Sequence, residues 1–199
     1  MKHSAEESVN GTAVYEKPRP QRDFLHEVLD WLRYILLAVV IGLLLVVFVA
    51  QRNAVIGQSM APTLHHQDQL LVEKVSKWFG GAGHGDIITV STEGLQGQEG
   101  TTNIIKRVIG VPGDTIEIRD QAVYLNGERL AESYLSADVD TDPRRDEYSS
   151  LVLAKDEYYV LGDNRAISQD SRTFGPIHAD QIIGEVLFRF YPLDSIGRP

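Results

Sequence analysis

At 199 residues the chain has room for one compact domain of ordinary size and an additional segment, and too little for several domains. With 28 acidic against 19 basic residues its net charge is −9, which disfavours sequence-independent binding to nucleic acid, because that requires a basic face. No cysteine is present, so disulfides, thiolate catalysis and cysteine-ligated metals are excluded, and any nucleophile is an oxygen or an amine.

Residues 1–23 are polar, include Pro18 and Pro20 and show no apolar stripe at helical spacing, which predicts a disordered cytoplasmic tail. Residues 24–51 predict a transmembrane signal-anchor helix. Tyr34 to Ala50 is a run of 17 residues without a charged or amide side chain. At about 1.5 Å of rise per residue it spans roughly 25 Å, and Trp31, Leu32 and the snorkelling stem of Arg33 extend it to the ~30 Å of a hydrocarbon core. A buried soluble helix is rarely so uniformly apolar. A cleaved signal peptide would place a small residue where Phe48-Val49-Ala50 has a bulky one. Lys17, Arg19, Arg22 and Arg33 precede the run and only Arg52 follows closely, so the N-terminus is expected in the cytoplasm. Residues 52–199 then lie on the extracytoplasmic side of the cell membrane, behind a single span.

Beyond the anchor the pattern changes to short alternating runs. Gln69–Glu73, Asp86–Val90, Ile104–Ile109, Thr115–Ile118, Ala122–Leu125, Tyr158–Leu161 and Val186–Phe190 read as strands, and Ala54-Val55-Ile56 is strand-like. Asn126-Gly127 predicts a tight hairpin into Glu128-Arg129-Leu130, and Pro112-Gly113-Asp114 another turn. Only Ala179 to Ile183 suggests a short turn of helix, so the outer domain is expected to be mainly β.

Two loops carry less than their composition suggests. Phe79 to Gly85 is glycine-rich but lacks the Gly-Lys-Ser/Thr ending and the following helix of a phosphate cradle. Asp138, Asp140 and Asp142 alternate like the start of a calcium loop, yet Pro143 stands where the turn needs glycine and Ser149 where the bidentate glutamate belongs. Both read as solvated loops.

The chemistry begins at Gly57-Gln58-Ser59-Met60-Ala61-Pro62-Thr63-Leu64, where Ser59 is a candidate nucleophile. Alone, a serine there reads more readily as a turn residue. Lys106 changes the balance. Side chains alternate along a strand, so Lys106 shares a face with Ile104 and Val108 while Arg107 points the other way. If the Ile104 face is the core face, Lys106 is desolvated, and burial lowers a lysine pKa from near 10.4 by disfavouring the ammonium. A neutral lysine within reach of a serine hydroxyl can take its proton as the oxygen attacks a carbonyl, then return it to the leaving amine. The competing reading is a snorkelling strand lysine paired with an acid.

Five segments standing in one order behind one anchor extend this picture: Gly57–Leu64, Asp68–Lys74, Gly85–Ile88, Lys106–Asp114 and Gly162–Arg172. With them the chain resembles the bacterial type I signal peptidases, especially the compact Gram-positive kind, from the anchor to near Pro192. The resemblance implies a membrane-anchored serine endopeptidase that removes signal peptides from exported preproteins, needs no cofactor or metal, and uses an antiparallel β fold shared with self-cleaving repressor proteases. It further implies Ser59 as nucleophile, Lys106 as general base and Ser168 as the hydroxyl that orients the lysine amine. Arg107 with Asp163, and Asp170 with Arg172, match structural ion pairs near the site. Gly57 stands where some relatives carry a hydroxyl residue that helps bind the oxyanion, so backbone amides, Ser59's first, would supply that hole. Ala166 and Ile167 replace residues that are polar in some relatives. Val55, Met60 and Ile105 flank the nucleophile and base, and shallow apolar pockets lined by them suit alanine at the first and third residues before the cut. The implied partners are signal peptides and the lipid bilayer.

Other readings make different demands. A membrane-tethered binding or assembly module leaves the ordered motifs without a role. A self-cleaving serine–lysine regulator usually carries a DNA-binding domain in place of an anchor. A Ser-His-Asp hydrolase needs one of His65, His66, His84 or His178 beside Ser59. The β-lactamase pattern places its lysine three residues after the serine, whereas Lys106 is far downstream.

Overall fold

The computed structural model describes residues 24–75, 81–98, 100 and 103–199, with side chains 45–50 outside that description. The predicted tail, residues 1–23, and Phe79 and Gly80 of the glycine-rich loop lie outside the described residues. The chain divides into two units, residues 1–41 and residues 42–199.

Helix α1 runs over Phe24–Val49. No proline interrupts it, and at about 1.5 Å per residue it is roughly 39 Å long. Its apolar side chains are exposed over the described part, Trp31 by 71% and Leu36 by 64%. Among the described residues no helix is long and apolar enough to cross a membrane. The last six residues of the apolar run, Leu45 to Ala50, are where side chains are not described.

The described residues of the second unit form eleven strands. These are β1 (Ala50–Ala54), β2 (Gln69–Glu73), β3 (Ile87–Ser91), β4 (Asn103–Gly110), β5 (Thr115–Arg119), β6 (Ala122–Leu125), β7 (Glu128–Arg129), β8 (Ser150–Val152), β9 (Glu157–Leu161), β10 (Ile177–His178) and β11 (Ile182–Tyr191). They build a seven-stranded antiparallel sheet in the order β1-β2-β11-β3-β4-β9-β10 and a four-stranded sheet in the order β7-β6-β5-β8. The domain is therefore mainly antiparallel β, as the alternating runs predict.

Two boundaries differ from expectation. The residues expected to end the anchor, Ala50 and Gln51, already belong to β1, which pairs Ala50 with Glu73 and Ala54 with Gln69 of β2. Only Ala54 of the strand-like Ala54-Val55-Ile56 belongs to that strand. The polar sequence Gln51-Arg52-Asn53 shows no alternation; backbone pairing with β2 makes it a strand. The short helix expected from Ala179 to Ile183 is one 3₁₀ turn, Ala179–Gln181, before β11 begins.

The turn chemistry holds. Asn126 and Gly127 have φ of +53° and +84°, as a two-residue hairpin joining right-twisted strands requires. Strand β4 is the centre of the fold because both its faces are covered. Val108, with Ile104 packed against it, joins a cluster with Ile88, Val160 and Ile177. Ile105 packs against Val55, Met60 and Leu70, and Ile109 joins a third cluster with Ile116 and Leu161. Lys106 and Arg107 sit in the middle of this doubly buried strand.

Candidate active site

Ser59 sits on the turn between β1 and β2. Val55 N–H donates to the Asp68 carbonyl and Gln67 N–H to the Val55 carbonyl, both at 2.9 Å, which closes the base of the turn. Leu64 N–H donates to the Met60 carbonyl at 2.9 Å, and both side chains are buried in the core. Gly57 adopts φ +97° where the chain enters the turn, a conformation costly for a residue with a Cβ.

Lys106 Nζ donates to Ser59 Oγ at 2.9 Å and to the Ile105 carbonyl at 3.1 Å. Lys106 is 2% exposed, so the condition set by the Ile104 face is met. Burial lowers its pKa from 10.5 to about 8, against the opposing pull of the Asp170 and Asp163 carboxylates. About one-tenth of these amines are therefore neutral at pH 7, and about half at pH 8.

The connection after β9 clamps the turn from the other side. Asn164 N–H donates to the Ser59 carbonyl at 3.0 Å and its Nδ2 to the Gln58 carbonyl at 3.2 Å. Arg107 Nε and Nη2 grip Asp163 at 2.9 and 2.7 Å, and Nη1 donates to the Gly85 carbonyl at 2.8 Å. Thr63 Oγ1 donates to the same Asp163 carboxylate. Arg172 Nε and Nη2 grip Asp170 at 2.8 and 2.9 Å, and Asp170 also accepts the Gly162 N–H at 3.1 Å. Both ion pairs are bidentate and buried, the geometry in which a guanidinium–carboxylate pair holds backbone in place.

Ser168 differs from the resemblance. Its Oγ is buried and has no hydrogen-bond partner among the described residues, and Lys106 donates its amine to Ser59 and Ile105 instead. It nevertheless lies beside the nucleophile turn. A Cβ built on Gly162 would clash with Ser168 Oγ, with Ser168 Cβ at 2.6 Å and with the Ser59 carbonyl oxygen. Gly162→Ala is accordingly expected to displace one wall of the site and reduce cleavage at least about tenfold. Peptide turnover measured beside the thermal midpoint checks this, and an unaltered turnover would show that the turn can shift without consequence.

Val55, Met60 and Ile105 line one cleft of about 720 Å³ together with Ser59 and Lys106. Ile56 and Ile167 stand exposed at its border, and the sequence does not mark either as a pocket position. A second cleft of about 700 Å³, lined by Ala61, Pro62, Asn164 and Ala166, contains neither Ser59 nor Lys106. The Ser59 N–H makes no hydrogen bond among the described residues, so it is available to an oxyanion. No histidine among the described residues bonds to Ser59. His66 Nδ1 accepts the Gly57 N–H at 3.3 Å, His84 pairs with Asp114 at 2.6 Å, and His178 faces Asp156 at 3.3 Å.

Sequence reasoning gave no role to Arg165, although it stands inside one of the ordered segments. Its buried guanidinium holds the Glu132 carboxylate and Thr141 Oγ1, and its Nε donates to the Gly162 carbonyl at 3.1 Å. Glu132 lies 33 positions away, in a segment without strand or helix character, so no local spacing signals the pair.

A serine hydroxyl beside a buried amine, with no histidine bonded to it among the described residues, has what a hydrolase working through serine and lysine requires. Residues 28–191 match the signal peptidase, peptidase S26 family. The chain is 36% identical over 175 residues to signal peptidase I P of Bacillus subtilis subsp. natto, covering 85% of this chain and 92% of that protein. It is 37% identical over 172 residues to signal peptidase I of Leptolyngbya laminosa, covering 85% of this chain and 82% of that one. A crystal structure of a signal peptidase I from Enterococcus faecalis is similar at 32% identity and a TM-score of 0.43, over 52% of this chain and 95% of that chain. This chain belongs to the signal peptidase S26 family.

Proposed function

We propose that the protein is a membrane-anchored serine endopeptidase that removes signal peptides from exported preproteins by a Ser59–Lys106 dyad. The observation that carries this reading is the 2.9 Å contact between Ser59 Oγ and a buried Lys106 amine with a pKa of about 8. The neutral amine takes the hydroxyl proton while Ser59 Oγ attacks the scissile carbonyl, and the Ser59 N–H faces the developing oxyanion. The resulting ammonium passes its proton to the leaving amine, and a water then releases the acyl group by the same base. Ser168, although not bonded to the amine in this state, lies beside the Ser59 turn, and its hydroxyl orients the Lys106 amine once substrate is seated. Val55, Met60 and Ile105 offer apolar walls suited to alanine at the first and third residues before the cut. Incubating the protein and its Ser59→Ala variant with a preprotein carrying an Ala-x-Ala site, and locating the cut by mass spectrometry, tests the proposal. Absence of a Ser59-dependent cut would leave the tethered binding module as the better reading.

The helix α1 is proposed to anchor the enzyme, with the N-terminus in the cytoplasm and the β domain outside. Its exposed apolar side chains and the uncharged run from Tyr34 to Ala50 support this. An anchor raises the effective concentration of enzyme at a membrane-borne substrate without adding any contact. Because β1 starts at Ala50, a truncation that spares the sheet removes residues 1–49. That variant is expected to cut a soluble peptide within about threefold of the full chain and to process preprotein in vesicles at least about tenfold more slowly. Equal rates on both substrates would remove the case for an anchoring role.

A further inference from the structure

Arg189, on β11, has no part in the motifs and lies two strands from β4 in the sheet order. Its Nη1 donates to the Thr63 carbonyl and to Asp68 Oδ2, both at 3.0 Å, across more than 120 positions of sequence. Its Nε donates to the Ser195 carbonyl at 2.7 Å. The backbone of Arg189 pairs with Gly197 through bonds of 2.8 and 3.1 Å, so residues 192–197 fold back against the end of β11. One side of the guanidinium is thus held by this fold-back, and the other holds the far end of the Ser59 turn.

That end of the turn has few fastenings of its own. Pro62 has no N–H to donate. The bonds internal to the segment are Ala61 N–H to the Gln58 carbonyl at 3.2 Å and Leu64 N–H to the Met60 carbonyl. The other contacts of this end include a reciprocal pair, in which Asp68 accepts the His65 N–H at 3.0 Å and donates its own N–H to the His65 carbonyl at 3.1 Å, and the bond from Thr63 Oγ1 to Asp163, whose carboxylate holds Arg107 beside Lys106. Arg189 touches both Asp68 and Thr63. A pair serving stability alone needs only the carboxylate; the additional bond to the Thr63 carbonyl fixes backbone four residues from the nucleophile.

We propose that Arg189, braced by the 192–197 fold-back, is a positioning residue that sets where the Ser59 turn presents its hydroxyl to Lys106. The proposal rests on the peptidase reading. Displacements of about 1 Å in such geometry cost on the order of a hundredfold in rate. Arg189→Ala is therefore expected to lower kcat by about 10- to 100-fold on a cleavable peptide, with KM within about threefold. Arg189→Lys should recover part of the loss, because one ammonium can replace one of the three bonds. The rising limb of the pH profile should not move, since Lys106 keeps its burial. Deleting residues 194–199 should lower kcat similarly, and adding that deletion to Arg189→Ala should cost little more, as expected of groups acting together. Hydrogen exchange of residues 58–68 should quicken in Arg189→Ala while β4 and β9 keep their protection.

An unchanged kcat in folded Arg189→Ala overturns the proposal. So does a loss of protection spread over β4 and β9 without recovery in Arg189→Lys, which would make Arg189 a general stabiliser. If the unaltered protein cuts no peptide, the peptidase reading fails on its own, and the exchange of residues 58–68 still decides whether Arg189 holds the turn.

Discussion

Ser59→Ala and Lys106→Ala are each expected to abolish cleavage, and the double variant to be scarcely slower than either. The two groups share one proton transfer, so removing one leaves the other without a task. Lys106→Arg should be equally inactive, because a guanidinium stays charged at every working pH. In the unaltered enzyme the rate should climb as Lys106 deprotonates, with a midpoint near its pKa of about 8. Burst kinetics on a peptide substrate, followed from pH 6 to 11, measures all of this. A midpoint near 10 in an active enzyme would refute the general-base role.

The same residue has a cost in stability whose sign can be worked out. In the unfolded chain Lys106 titrates at 10.5, and in the folded chain at about 8. Below pH 8 it is charged in both states, and folding must bury the ammonium or discharge it. A drop of that size at about 1.4 kcal/mol per unit destabilises the fold by about 3 kcal/mol. Between pH 8 and 10.5 the unfolded chain binds the extra proton, so the penalty fades as pH rises. Lys106→Met should therefore be inactive yet more resistant to urea at pH 7, with the advantage shrinking towards pH 10.

Much of this was legible because it depends on local periodicity. The central strand β4 announces itself in Ile104-Ile105-Lys106-Arg107-Val108-Ile109, and the alternation that puts Lys106 on the Ile104 face agrees with its pairing opposite Ile88, which packs with Ile104 and Val108. Asn126-Gly127 specifies its hairpin by the positive φ that both residues tolerate. Strands β1, β8 and β10 escape the same reading, being short and without a clear apolar face, and only pairing makes them strands. Arg165 with Glu132, and Arg189 with Thr63 and Asp68, escape it because each joins segments far apart in sequence. In the strand Val186–Phe190, Arg189 reads as an ordinary surface arginine until the Ser59 turn is folded against it. Ser168 marks the opposite limit, since its place near the turn followed from a motif while its bonding did not.

Asp163→Ala should show how far the dyad depends on the frame around it. The Arg107–Asp163 pair is almost fully enclosed, with side chains 7% and 0% exposed, and removing the carboxylate strands a buried guanidinium. Losing one partner of such a pair costs about 3–5 kcal/mol, visible as a lower urea midpoint with an unchanged slope. Thr63 loses its acceptor at the same time, which loosens the Ser59 turn and should reduce kcat by about a hundredfold. The acid limb of the rate profile should nevertheless move to lower pH. Asp163 is one of the anions that raise the Lys106 pKa, and without it the buried ammonium is less favoured and the amine is neutral at lower pH. A slower enzyme with its limb shifted downward separates this electrostatic coupling from simple unfolding, which lowers the amplitude and leaves the midpoint where it was. A limb that stays in place or moves upward would mean that the Asp163 charge is not felt at Lys106.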